Sequence, residues 1–211
     1  MNDNIDYWEK VLISPTPVYQ KLFDAEKEYL WSNVTKDANV LDIGCGNGRV
    51  IKLILDKTKT VTGIDNDPNA VKDAKINLID FPTVKIVQSD IGQTPFSDEF
   101  FDYVTLIDTL VNFNKNKIKA LSEIRRILRN DGKIIISVYS EDAFAARKEM
   151  YQKVGVPVSQ IEGTTFILSG NIISEQFSEQ DLEIMAKSAG LKIVDCKKIE
   201  GIAYLAEMMK S

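Results

Sequence analysis

The sequence predicts an α/β fold with a seven-stranded, mostly parallel, doubly wound sheet, an antiparallel last strand and helices on both faces. Three observations predict it. Short apolar runs alternate with helical segments between residues 39 and 139, a glycine-rich loop follows the first run, and two more strand candidates end the chain. We expect a single domain, because 211 residues with 44% hydrophobic content are typical of one hydrophobic core.

The composition excludes several kinds of protein. No apolar stretch approaches the ~20 residues of a membrane span, and the polar, acidic start of the chain lacks the order of a secretion signal. The only cysteines, Cys45 and Cys196, form neither a metal-ligand cluster nor a disulfide framework, so we expect a cytoplasmic protein without a metal. The absence of histidine excludes Ser-His-Asp triads and histidine-bound zinc. A net charge of −5 argues against large nucleic acid substrates.

Residues 1–38 are expected to form an N-terminal helical lid. A first helix is indicated by apolar residues at helical spacing, namely Tyr7, Trp8, Val11 and Leu12. Pro15 and Pro17 interrupt this pattern, and a second helix is expected from about Val18 to Trp31.

Segment 39–140 is expected to alternate strands and helices. The strands are predicted at 40–43, 60–64, 84–88, 103–107 and 133–139, and the helices at 49–56, 68–79 and 115–128. Pro68 suits the first turn of its helix, and Asn130-Asp131-Gly132 predicts a turn before the fifth strand. Apolar strands between helices indicate a parallel sheet that is covered on both faces.

Segment 141–177 is expected to be a small β insertion. Its first part, 141–162, is polar and is expected to be irregular. Two extended patches, 164–168 and 171–176, follow and are joined by Ser169-Gly170.

Segment 178–211 is expected to add a helix and a hairpin. Ser178 is a good N-cap with Asp181 three residues on, and the helix is expected to end at Gly190. Residues 191–198 and 203–209 are the last two strand candidates, separated by a Glu-Gly turn. This hairpin would supply the antiparallel strand.

The loop after the first strand carries the main chemical signal. Glycines at 44, 46 and 48 form G-x-G-x-G between a strand and a helix, where ligands of open α/β sheets bind. A dinucleotide fingerprint would need glycine at position 49, which is Arg49. Asp42 precedes the loop, and its charge would oppose a pyrophosphate but favour a ligand with an ammonium and a sulfonium.

Two acidic residues follow at the ends of the next strands. Asp65 ends the second strand and can accept hydrogen bonds from the vicinal hydroxyls of a ribose. Asp90 follows the third strand, and Ile91 comes directly after it. This pair can accept from an exocyclic amine and pack against a purine ring.

These three motifs resemble the class I, Rossmann-like S-adenosylmethionine-dependent methyltransferases of the small-molecule type, over about 39–139 and more weakly in the tail. The resemblance implies S-adenosylmethionine as cofactor and S-adenosylhomocysteine as product, with 39–140 as the cofactor-binding core. It assigns the methionine part to the glycine loop, the ribose to the second strand end and the adenine to the third. The implied cofactor contacts are Asp42, Gly44, Cys45, Gly46, Asp65, Asn66, Asp90, Ile91 and Asp108.

The resemblance also points to an acceptor wall after the fourth strand and in the additions to the core. The catalytic candidates are Asp108, Tyr7 and Tyr139, and the candidates for the substrate pocket are Trp8, Asn112 and Tyr151. Each of these also has a purely structural interpretation as a strand-end contact or as helix packing. Because a sulfonium already activates its methyl group, an in-line displacement needs positioning and exclusion of water and no histidine base.

The acceptor class is expected to be a small molecule methylated on nitrogen or oxygen. Residues 108–113 lack the Asn/Asp-Pro-Pro-Tyr/Phe signature of enzymes that methylate nucleobases or glutamine. The sequence shows no acidic triad at metal spacing, which argues against magnesium-dependent methylation of catechols. Its two isolated cysteines argue against methylation of arsenic, which several thiols would hold. Methylation of RNA or protein, cofactor binding without catalysis and a nicotinamide-dependent dehydrogenase stay open as alternatives, as does the choice between a monomer and a homodimer.

Overall fold

The computed structural model describes residues 4–211, with side chains from Trp8 onward. The strands are β1 (Asn39–Ile43), β2 (Thr60–Asp65), β3 (Lys85–Gln88), β4 (Phe101–Ile107), β5 (Leu128–Tyr139), β6 (Val158–Glu162), β7 (Thr165–Leu168), β8 (Ile172–Ser174), β9 (Leu191–Ile199) and β10 (Ala203–Lys210). The helices are α1 (Asn4–Ile13), α2 (Pro17–Asn33), α3 (Arg49–Ile54), α4 (Pro68–Asn77), α5 (Lys117–Ile127), α6 (Phe144–Val154) and α7 (Glu179–Ser188). Short 3-10 turns lie at Leu110–Asn112, Asn114–Asn116 and Ser169–Asn171.

The main sheet has seven strands in the order β3-β2-β1-β4-β5-β10-β9. Strands β1 to β5 pair in parallel, and β10 runs antiparallel between β5 and β9. This confirms the predicted seven-stranded sheet with its antiparallel last strand. The strand order reverses between β1 and β4, so a crevice opens there at the carboxyl ends of the strands.

The core lies between this sheet and the helices on its faces. Residues 40–43 of β1 and 103–107 of β4 are buried, as are the apolar faces of α2 and α5. A strand covered on both faces needs apolar side chains on both, which is why these strands are nearly continuous apolar runs. The packed core holds the strand ends rigidly beside the crevice.

Segment 141–162 is not irregular as predicted, because it contains α6 and β6. Helix α6 buries Arg147, Met150 and Tyr151, and Gly155 ends it with a left-handed φ of 75°. The buried arginine interrupts the apolar periodicity of this face, so the sequence pattern does not predict the helix. Strands β6, β7 and β8 form a separate antiparallel sheet, which is the expected small β insertion.

The turn predicted at 130–132 is also wrong, because these residues lie within the bounds of β5. Phe101 pairs with Leu128 and Tyr103 pairs with Lys133, so one residue of β4 faces four residues of β5. The turn-forming sequence is used as a bulge inside a longer strand.

The end of the chain follows the sequence pattern closely. The Ser178 hydroxyl accepts from the backbone N–H of Asp181, and the Asp181 carboxylate accepts from the backbone N–H of Ser178. This capping box begins α7 where it was predicted. Between residues 4 and 211 there is no helix both long and apolar enough to cross a membrane.

Candidate active site

A cavity of about 610 Å³ lies at the carboxyl ends of β1, β2 and β4, within the range of small-molecule sites. The predicted site residues that line it are Trp8, Gly44, Cys45, Gly46, Asp65, Asn66, Asp90, Ile91, Asp108, Asn112 and Tyr139. Asp42 and Tyr151 do not line it. The side chain of Tyr7 lies outside the described residues.

The glycine loop needs conformations that other residues rarely adopt. Gly44, Gly46 and Gly48 have φ values of 68°, 53° and 89°, which lie in the left-handed region. The backbone N–H groups of Gly44 and Cys45 both donate to the Ile64 carbonyl, at 2.8 and 3.0 Å. The loop is therefore anchored to the end of β2.

Two of these glycines face different surroundings. A Cβ at Gly44 would lie 2.4 Å from the Thr109 Cγ2 and 3.1 Å from its Cβ, whereas a Cβ at Gly46 would meet nothing within 4 Å. Gly44 therefore allows close packing of the loop against the segment after β4. Gly46 leaves open space at the cavity, as a cradle for a ligand requires.

Gly44→Ala should destabilise the fold, whereas Gly46→Ala should chiefly affect ligand binding. Overpacking against Thr109 should lower the free energy of unfolding of Gly44→Ala by about 1–3 kcal/mol beyond its φ strain. Urea unfolding measures this difference. Gly163→Ala is the control, since Gly163 has a φ of 60° and open surroundings. Equal losses in all three variants would refute the packing argument.

Asp42 lies beneath the loop and is 1% exposed. Its Oδ1 accepts from the Thr105 hydroxyl at 2.7 Å, and its Oδ2 has no hydrogen-bond partner among the described residues. Burial raises the pKa of Asp42 to about 7, although Thr105 and Arg49 oppose this. Asp42 does not line the cavity, so its contact with the cofactor stays a prediction from the sequence.

Asp65 and Asp90 form an acidic wall of the cavity. Asp65 accepts from the backbone N–H groups of Gly46 and Asp67, each at 3.0 Å. Asp90 accepts from the backbone N–H of Gly92 at 2.5 Å. Both side chains are oriented by the backbone and keep further lone pairs for a ligand. Asn66 and Ile91, which follow them in the chain, also line the cavity.

The floor cluster consists of Glu26, Arg49, Asp108 and Ser137. Arg49 Nη1 donates to Glu26 Oε2 at 3.1 Å, and Arg49 Nη2 lies 3.6 Å from Asp108 Oδ2. The Ser137 hydroxyl donates to Glu26 Oε1 at 2.7 Å. Burial, followed by the charge of Glu26, raises the pKa of Asp108 well above its usual range, and Arg49 partly opposes this.

Sequence reasoning missed Glu26 and Arg49. The buried face of α2 carries Tyr19, Leu22, Glu26, Tyr29 and Leu30. A glutamate at a core position of an amphipathic helix was the available signal, because such a charge needs a buried partner. Arg49, directly after the glycine loop, is that partner.

Aromatic rings line the part of the cavity beside β5, whereas Asp65 and Asp90 lie at the ends of β2 and β3. Trp8, Tyr19, Phe23, Phe113 and Tyr139 line this part of the cavity. The hydroxyls of Tyr19 and Tyr139 are 3.4 Å apart. Burial raises the pKa of both phenols, so both stay protonated at neutral pH. This wall suits a planar, apolar group.

Tyr151 was predicted in the substrate pocket but lies behind the wall. Its ring packs against Phe166 at a centroid distance of 5.0 Å and against Trp8 at 6.4 Å. It is buried in the small cluster between α6 and the β6–β8 sheet. Tyr151 therefore supports Trp8 from outside the cavity.

Cys45 lines the cavity but is not activated as a nucleophile. Burial raises the pKa of its thiol, and the nearby carboxylates of Asp42 and Asp65 raise it further. Since only the thiolate is a strong nucleophile, Cys45 is a small loop residue. Among the described residues, no group of three or more acidic or cysteine side chains could hold a metal ion.

Comparisons with known proteins agree with this geometry. Residues 41–136 match a family described as a methyltransferase domain. A demethylmenaquinone methyltransferase from Staphylococcus aureus is 32% identical over 139 residues, which cover 64% of this chain. That alignment covers 57% of the relative, so the chain matches a little over half of its length.

Solved structures share the fold over nearly the whole chain. A protein from Pyrococcus horikoshii has a TM-score of 0.73 at 21% identity, covering 96% of this chain and 99% of its own. The 1,6-didemethyltoxoflavin-N1-methyltransferase of Burkholderia thailandensis also has a TM-score of 0.73, at 17% identity, covering 99% of this chain and 84% of its own. That structure contains 1,6-didemethyltoxoflavin and S-adenosylhomocysteine. The predicted resemblance is confirmed at the level of this match: residues 41–136 match a methyltransferase domain, and the chain shares its Rossmann-like fold with solved structures that include this methyltransferase with bound S-adenosylhomocysteine.

Proposed function

We propose that this protein transfers a methyl group from S-adenosylmethionine to a nitrogen or oxygen atom of a small molecule. The observation that carries the proposal is that the glycine loop, Asp65 and Asp90 surround one end of a cavity whose other end is aromatic. The matched domain, and a neighbour with bound S-adenosylhomocysteine, support this cofactor.

The acidic end of the cavity would hold the cofactor. The Asp65 carboxylate would accept from the ribose hydroxyls, and Asp90 would accept from the adenine amine beside Ile91. The loop at Gly46 leaves space for the methionine part. When bound, S-adenosylmethionine supplies an electrophilic methyl group on a sulfonium.

The aromatic end would hold the acceptor and exclude water. Phe23, Phe113 and Tyr139 give this end flat, apolar surfaces, and Asp108 and Asn112 supply polar atoms beside them. The Asn47 amide donates to Glu9 of α1 at 3.3 Å, which links α1 to the glycine loop. A site that excludes water would position the acceptor for in-line displacement.

The names of two similar proteins support a small-molecule acceptor. One acts on demethylmenaquinone and one on 1,6-didemethyltoxoflavin. A cavity of about 610 Å³ suits compounds of drug size rather than a polymer. A cytoplasmic location and a monomeric or homodimeric state stay predictions from the sequence.

Titration with S-adenosylhomocysteine tests the cofactor, with NAD as comparator. At one hundred times its dissociation constant, the ligand should add about 2.7 kcal/mol to stability. That corresponds to a rise in melting temperature of about 5–11 °C for a chain of this size. No binding at millimolar S-adenosylhomocysteine, or tighter binding of NAD, would refute the proposal.

Transfer of tritium from labelled S-adenosylmethionine to a panel of phenols, quinols and aromatic amines tests catalysis. We expect labelled product from at least one planar acceptor. Binding of S-adenosylhomocysteine without transfer to any acceptor would favour a protein that binds the cofactor without catalysis.

A further inference from the structure

The floor cluster brings two carboxyl groups to one guanidinium at the bottom of the cavity. Glu26 is fully buried, and its two oxygens accept from Ser137 and Arg49 at 2.7 and 3.1 Å. Asp108 lines the cavity, and its contacts with Ser137 and Arg49 are longer, at 3.5 and 3.6 Å. Asp108 is therefore the carboxyl that keeps hydrogen-bonding capacity toward a ligand.

The backbone at Asp108 fixes this arrangement. Its φ is 57°, in the left-handed region that Asp and Asn tolerate better than most residues. Its N–H donates to the Ser137 carbonyl at 3.1 Å. A strained residue held by the end of β5 is typical of functional sites, where geometry takes precedence over local stability.

Burial, followed by the charge of Glu26, makes Asp108 a stronger proton acceptor than an exposed aspartate. It is faced by Glu26 and Tyr19 from α2, Arg49 from α3, and Ser137 and Tyr139 from β5. Burial and Glu26 favour its protonated form, whereas Arg49 and Ser137 favour its charged form. The two tyrosines stay protonated, so neither competes with Asp108 for a proton.

We propose that Glu26 and Arg49 are positioning residues that make Asp108 the proton acceptor for a planar substrate whose methylated nitrogen or oxygen carries a hydrogen. This inference rests on the proposed function. In the step, the bond from methyl carbon to sulfur breaks and its electron pair stays on sulfur. The acceptor atom bonds to the methyl group, and its proton moves to an Asp108 carboxylate oxygen. Protonated Asp108 later releases that proton to solvent.

Carbon-13 NMR titration of the aspartate carboxyls tests the positioning role without any ligand. The Asp108 signal is assigned from its loss in Asp108→Asn, which tolerates the same φ. Glu26→Gln removes a negative neighbour, so the midpoint for Asp108 should move to lower pH. Arg49→Gln removes a positive neighbour, so the midpoint should move to higher pH. Shifts of the same sign in Glu26→Gln and Arg49→Gln, or no shift in either variant, would overturn the proposal.

Two further variants serve as a control and as a milder substitute for Glu26→Gln. Glu207→Gln is the control, because Glu207 is a buried carboxylate whose partner, Lys133 at 2.8 Å, lies outside the cavity lining. It should leave the Asp108 midpoint unchanged. Ser137→Ala is the milder variant if Glu26→Gln does not fold. Loss of the Ser137 hydroxyl should move the midpoint to higher pH.

Binding of 4-methylphenol and 4-methylanisole, measured by calorimetry with S-adenosylhomocysteine present, tests the substrate class. Only the phenol has a hydrogen to donate to Asp108. The wild type should prefer the phenol about tenfold, and Asp108→Asn should lose most of this preference. Equal binding of both probes by the wild type would overturn the proposal. Failure of S-adenosylhomocysteine to bind would instead refute the proposed function, and the NMR titration would still report on the floor cluster.

Discussion

Replacing Asp65 with alanine should remove most of the stabilisation that S-adenosylhomocysteine gives the wild-type protein. The carboxylate would lose two hydrogen bonds to ribose, each worth about 1.5–3 kcal/mol for a charged acceptor. The dissociation constant should then rise at least about a hundredfold. At the ligand concentration that raises the wild-type melting temperature by about 5–11 °C, the variant should gain only about 1–2 °C. Thermal unfolding with and without ligand measures this.

The same substitution also removes contacts within the protein, so it needs a control. Asp65 accepts from the backbone N–H groups of Gly46 and Asp67, and alanine would loosen the loop. Asp181→Ala removes a comparable hydrogen-bonded carboxylate from the capping box of α7, and should cost about 1 kcal/mol of stability without changing ligand binding. An undiminished ligand shift in Asp65→Ala would contradict the assignment of the ribose site.

Arg147→Ala should be strongly destabilising. The guanidinium is fully buried, donates to the Ser174 carbonyl and hydroxyl at 2.9 and 2.7 Å, and donates to the Gln176 side chain at 3.0 Å. Its centre lies 4.3 Å from the ring centroid of Tyr139 and 4.6 Å from that of Phe166. Truncation would open a cavity under the aromatic wall, with a loss of about 3–5 kcal/mol in the free energy of unfolding. Urea denaturation measures this loss.

Arg147→Met separates packing from charge. Among the described residues, no carboxylate forms an ion pair with Arg147 in α6, so its burial is offset only by hydrogen bonds and aromatic faces. Methionine keeps much of the side-chain volume and avoids the cost of burying a charge. Arg147→Met should therefore lose much less free energy of unfolding than Arg147→Ala. Lys153→Ala, on the exposed face of α6, should change stability by less than about 0.5 kcal/mol. A loss in Arg147→Ala as small as this would contradict the packing role.

The cofactor end of the cavity could be predicted because its determinants are local in sequence. The glycine spacing after β1 and the acidic residues at the ends of β2 and β3 each depend on a few consecutive residues. Parallel pairing then brings those strand ends to one edge. The roles of Asp65 and Asp90 toward a cofactor stay predictions, but their placement around one cavity follows from this topology.

Helix α6 was missed because its buried face has no clear apolar periodicity. Arg147 occupies a core position there, and its burial depends on three aromatic rings supplied by β5, α6 and β7. No local sequence pattern predicts a buried arginine, because its partners come from segments that are distant in sequence. Tyr151 was predicted in the pocket because the sequence does not show its packing partners. In the structure it packs against Phe166, behind the aromatic wall.

The fold class and the residues at the strand ends that line the cavity could be read from the amino-acid sequence alone. The residues of the floor cluster could be identified only from the three-dimensional structure. Glu26 and Ser137 are 111 residues apart, and their contact depends on how α2 packs across β5. The carboxyl ends of parallel strands meet at one edge of the sheet, so the residues that follow them can be placed there from short sequence motifs. The pairing of a buried charge depends on side-chain packing between distant segments, which no short motif encodes.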